Sequence, residues 1–168
     1  RLYMPPESVY GILAAPPCTH LAGSGARWWE EKGVEALLEA LSIADACMRI
    51  NLISNPRFWV LENPDGYLKW FLGKPYLIFH PYEYGDPHTK KTCIWGNFKF
   101  PIKNPTKLID FEHPTTKGAK DYVKCVEHFQ HLKNIPEGYK EKTGLTKRAI
   151  LRSITPSGFA KAFFEANP

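Results

Sequence analysis

The chain has 168 residues, 43% apolar, 14% aromatic and 23% charged, with a formal net charge of +5. That balance excludes a disordered chain, and the length suits one domain with a real core, residues 1–168, better than two. No apolar stretch reaches the length of a membrane span and no secretory leader pattern is present, so the expectation is a cytoplasmic protein with no membrane partner.

The first element is "VYGILAA", residues 9–15. A short continuous apolar run of this kind predicts a strand buried on both faces, as in a parallel sheet. Residues 16–25 carry Pro16, Pro17, Gly23 and Gly25 and predict a loop. From Ala26 to Ile50 the apolar spacing turns helical, with Val34, Leu37, Leu38, Leu41, Ala44 and Met48 on one stripe and Glu31, Glu35 and Glu39 opposite. Gly33 weakens the first turns, and Asn51 to Pro56 ends the helix.

"RFWVL", residues 57–61, predicts a second buried strand, broken by "ENPDG". Residues 67–72 suit one or two helical turns, and "YLIF" (76–79) and "TCIWGNFKF" (92–100) suit extended segments around a turn-rich link. Residues 101–120 read as irregular, 121–133 as a short helix and 137–148 as an exposed loop. "TPSGFAKAFFEANP" predicts a terminal helix started by proline, burying Phe159, Phe163 and Phe164.

Strand, long helix, strand is a βαβ unit, whose crossover is nearly always right-handed and whose strands are parallel. The loop after strand one, with Cys18, and the loop after strand two, with Glu62, must then leave at the carboxyl edge of the sheet. Open α/β sheets bind ligands at that edge. A thiolate is a strong nucleophile, two prolines hold the backbone before it stiff, and a carboxyl group shares a proton with a ring nitrogen. Against this, a lone cysteine is commonly a small buried hydrophobe, and Glu-Asn-Pro is ordinary turn chemistry. The four cysteines form no C-x-x-C pair, which favours a reducing compartment. Cys18-x-His20 lacks the second ligand pair that zinc requires, so no metal is expected.

Charge is uneven. Residues 1–86 hold 7 Lys/Arg against 10 Asp/Glu, and residues 87–152 hold 14 against 6. The basic part suits either a polyanion or a solvated lysine-rich surface.

"APPCTHLAGSG" and "VLENPDG" resemble the Pro-Cys and Glu-Asn blocks of cytosine-C5 DNA methyltransferases. The order of Pro16 to Trp28, Glu62 to Pro64, Pro81 to Trp95 and Arg152 to Ala162 resembles small phage and prophage proteins of that kind. The resemblance implies a methyltransferase-type (Rossmann-like), partly parallel sheet with flanking helices, incomplete at its N-terminal side. It implies a prokaryotic or phage-infected cell, DNA as partner and S-adenosylmethionine as methyl donor.

It also implies roles. Cys18 attacks C6 of a flipped cytosine, Glu62 contacts N3, C5 takes the methyl group, and Cys18 is then eliminated. Pro17 lies near the donor. Asn63 supports the loop that carries Glu62. Thr19, Ser24, Lys90 and Lys91 belong with the substrate, the two lysines standing where larger relatives present arginines. The basic segment, residues 101–150 above all, would contact phosphates. The family's F-x-G-x-G loop is missing from these 168 residues, so the resemblance implies that a second chain or a preceding segment supplies the cofactor loop. Two alternatives stand beside methyl transfer: an inactive or partial subunit that binds DNA, and a thiol-dependent enzyme acting on a pyrimidine nucleotide.

Overall fold

Gly11–Ala14 forms strand β1 and Phe58–Pro64 forms β2. They pair in parallel, from Gly11 opposite Phe58 to Ala14 opposite Leu61. The computed structural model describes residues 3–86, 89–105 and 153–168. Helix α1, Trp29–Ser54, makes the crossover between the two strands. β3 (Leu77–Phe79) and β4 (Thr92–Asn97) complete a four-stranded sheet in the order β1-β2-β4-β3, with β4 antiparallel to both its neighbours. The chain is therefore α/β with a partly parallel open sheet, as its sequence leads one to expect.

β1 is an edge strand and, among the described residues, pairs only with β2. Burial on both faces is thus an expectation the structure corrects: Leu13 is 71% exposed. An apolar run specifies extended backbone, but the number of neighbours decides how much of it is covered.

α1 begins after a 3₁₀ segment, Gly23–Trp28, and is interrupted at Gly33, whose φ of 71° lies in the left-handed region. It runs four residues past its expected end, because "NLIS" contains no breaker. It stops at Asn55, left-handed at φ 42°, immediately before Pro56. Its buried stripe comprises Leu37, Ala40, Leu41, Ala44 and Met48, packed with Leu21, Leu61 and Trp95. Val34 and Leu38, expected on that stripe, are both more than half exposed. They sit on the flank of the helix, beyond the reach of the sheet.

The sheet and α1 belong to one compact unit, residues 1–79 with 91–99; residues 80–90 with 100–168 form another. In the second unit a 3₁₀ turn at Pro81–Tyr84 leads into Asp86, and α3 spans Ser157–Ala166. The short helix α2, Leu68–Leu72, lies in the first unit. The Asp86 carboxylate accepts hydrogen bonds from the Ser157 hydroxyl (3.0 Å) and the Gly158 N–H (2.8 Å), capping α3 from a distant part of the sequence. Phe159 and Phe163 are buried, and Phe159 meets Tyr84 edge to face at 5.2 Å. Phe164, expected beside them, is 75% exposed: one position past Phe163 on a helix points about 100° away. The expected helix at 121–133 and nearly all of the basic segment 101–150 lie outside the described residues.

Among the described residues, no helix is long and apolar enough to cross a membrane.

Candidate functional site

The backbone leaves β1 through exposed Ala15, buried Pro16 and exposed Pro17, and reaches Cys18, which is half-buried. The Cys18 carbonyl accepts the N–H groups of Leu21 (3.0 Å) and Ala22 (2.9 Å), closing a tight turn directly after the thiol. The Pro16 carbonyl accepts the side-chain amide of Asn63 at 3.0 Å. Asn63 is fully buried on β2, so this bond pins the cysteine loop to the neighbouring strand.

A second set of bonds ties the same loop to the segment after β2. The Gly23 N–H donates to the Asp65 carbonyl and the Tyr67 N–H to the Leu21 carbonyl, each at 2.7 Å. Gly66 sits where a Cβ would fall 1.9 Å from the Leu21 carbonyl oxygen, so only glycine permits this approach. Trp29 and Tyr67 stack with ring centroids 3.6 Å apart, joining the start of α1 to the start of α2. Both loops leave at the carboxyl ends of parallel strands, and they meet there backbone to backbone.

Glu62 is not in the loop where the sequence suggests it. β2 continues to Pro64, because β4 pairs with it as far as Pro64 opposite Thr92. Pro64 is tolerated because β1 pairs no further than Leu61, which leaves that side of the strand without a ladder. Glu62 lies opposite Ile94 and is half-buried. Alternation along the strand turns Glu62 to one face of the sheet, and Leu61 and Asn63 to the other, where α1 packs. The structure therefore brings Asn63 to the cysteine loop and sets Glu62 one residue earlier on the same strand.

The other expected substrate residues separate. Thr19 is exposed and its carbonyl accepts the Lys32 ammonium at 2.9 Å. Ser24 is exposed on the 3₁₀ segment. Lys90 is half-buried in the second unit. Lys91 is exposed in the first unit and pairs with Asp65 at 2.9 Å.

Asp65 is the residue the sequence reading missed. Its two carboxylate oxygens take Lys69 and Lys91, each at 2.9 Å, while its backbone carbonyl takes Gly23. The hydrogen bond from Lys91, then that from Lys69, holds its carboxyl below the usual aspartate range. Bonding to Asp65 raises the Lys91 ammonium in turn. Asp65 and Lys69 stand at i,i+4 spacing, the one signal of this arrangement visible in the sequence.

Two other cysteines lie among the described residues. Cys93 is 1% exposed in the core, and burial pushes its thiol up to about 11. Burial also raises Cys47. Neither suits nucleophilic work near neutral pH. An open cleft of about 490 Å³ lies beside the loop, lined by His20, Trp29, Lys32, Leu37 and Tyr67 among others, but not by Cys18 or Glu62.

No protein-family model matches the chain, and no curated protein matches it in sequence.

Proposed function

We propose that this chain handles cytosine in DNA, with Cys18 as nucleophile and Glu62 as the proton-sharing group, in the manner of the cytosine-C5 methyltransferases it resembles. The single observation that carries the reading is the bond from Asn63 to the Pro16 carbonyl. It couples the Pro-Pro-Cys loop to the Glu-Asn strand, the two blocks on which the resemblance rests. The partly parallel sheet supports the same reading, since it delivers both blocks to its carboxyl edge.

The step these residues would perform is an addition. The Cys18 thiol gives its proton to solvent and the sulfur bonds to C6. The C5–C6 π pair shifts to make a C4–C5 double bond, the C4–N3 π pair moves onto N3, and N3 takes the proton of the Glu62 carboxyl group. Elimination runs the same changes backward and restores cytosine.

S-adenosylmethionine supplies the methyl group in this chemistry. The described residues do not form a holder for it. Pro17 offers one exposed ring, and the space at Gly23 and Gly66 is filled by the backbone of the opposing loop. We assign the holder to residues outside the described ones. The same observation favours a second reading, a partial methyltransferase-fold subunit that binds DNA without transferring methyl.

Adduct formation labilises the hydrogen on C5. Incubating a cytosine oligonucleotide with the protein in D₂O should therefore exchange that hydrogen, read by mass. Exchange should vanish in Cys18→Ser and fall in Glu62→Gln. No exchange with the unaltered protein would overturn the addition to cytosine in DNA.

A further inference from the structure

The loop–loop seam carries two exposed tryptophans that the proposed chemistry does not use. Trp28 ends the 3₁₀ segment and is 45% exposed; Trp70 sits on α2 and is 75% exposed. Each lies beside a cation. The Arg27 guanidinium stands 5.0 Å from the Trp28 ring, and the Lys69 ammonium 5.9 Å from the Trp70 ring. The two segments that bear them are joined directly. Trp29, next to Trp28, stacks on Tyr67, whose carbonyl accepts the Trp70 N–H at 2.9 Å. Lys69 shares the Asp65 carboxylate with Lys91, so two ammonium groups and one carboxylate, a net positive charge, stand together on the same seam.

Exposed indoles paired with cations along one seam have a chemical meaning. A base whose face is uncovered gains by stacking on an indole, and its phosphate gains from a neighbouring guanidinium or ammonium. A duplex offers the phosphates but keeps its base faces stacked on one another. We infer that this seam is a binding rim for single-stranded DNA, with Trp28 and Trp70 as stacking anchors and Arg27, Lys69 and Lys91 as phosphate contacts. The inference rests on the proposed cytosine chemistry for its choice of DNA, and narrows the substrate to an unpaired strand, in which the cytosine needs no extrusion from a helix.

The test is fluorescence anisotropy with a labelled mixed-sequence oligonucleotide, single-stranded and annealed to its complement, at about 100 mM salt. The single strand should bind about tenfold tighter than the duplex. Trp28→Ala and Trp70→Ala should each weaken single-strand binding about tenfold, while Trp70→Phe, which keeps a ring, should stay within about threefold. Thermal melts of each variant keep a folding defect from being read as a binding defect. Equal or tighter duplex binding overturns the inference, as does wild-type affinity in either alanine variant. The outcome is separable from the cytosine chemistry. Deuterium exchange that needs Cys18 in a protein with dispensable tryptophans defeats the rim alone. Loss of binding in the tryptophan variants, in a protein that exchanges nothing, defeats the chemistry alone.

Discussion

The side-chain amide of Asn63 donates to the carbonyl of Pro16 across 3.0 Å of buried space. A carbonyl followed by Pro17, which has no N–H, belongs to a stretch poor in local partners, and the strand next door supplies one. Asn63→Ala would remove that donor, leave the carbonyl buried and open a small void. The expected cost is about 2 kcal/mol, measured as a shift in the urea midpoint at unchanged slope. Asn63→Asp should cost more, because a carboxylate would face a carbonyl oxygen without a proton between them.

Gly66 faces a harder constraint. An added methyl group would lie 1.9 Å from the Leu21 carbonyl oxygen and 2.7 Å from the Gly23 nitrogen, both backbone atoms. Gly66→Ala should destabilise the chain by about 1–3 kcal/mol and part the two loops. Hydrogen exchange would show the parting, since the N–H groups of Gly23 and Tyr67 bridge the seam and should lose protection.

Thiol labelling should separate the cysteines. Cys18 is half-buried on a loop, whereas Cys93 is enclosed in the core with its thiol pushed up to about 11. A small alkylating reagent near neutral pH should modify Cys18 under native conditions and Cys93 only on unfolding, as peptide mass mapping would read it.

The Asp65 pairs predict a pH signature of modest size. A carboxyl held below its ordinary value contributes stability above about pH 4, and that stability is lost as pH falls through the lowered folded value. The raised Lys91 contributes below its ordinary value and loses that contribution only as pH climbs past the raised one. Wild type should therefore exceed Asp65→Asn by a steady amount between these limits. All three side chains are substantially exposed, so the difference should be about 0.5 kcal/mol, shrinking in high salt and vanishing in strong acid. Parallel urea titrations at several pH values would show it.

The sequence alone determined the local geometry. The βαβ order, the loop at Pro16–Pro17 and the terminal helix follow from periodicity, proline and glycine, which act within a few residues, and the βαβ order in turn puts the two loops at one sheet edge. Tertiary structure decided what depends on neighbours. Leu13 is exposed on an edge strand, Glu62 lies inside a strand because β4 extends the ladder, and Phe164 faces outward because Phe159 and Phe163 already occupy the covered side. The seam through Asn63, Asp65 and Gly66 was hidden for the same reason. Its partners, Pro16, Gly23, Leu21 and Lys91, lie some 26 to 47 positions away along the chain. Hydrogen bonds and close backbone approaches of that range leave no periodic trace in a sequence; they exist only once the chain has folded back on itself.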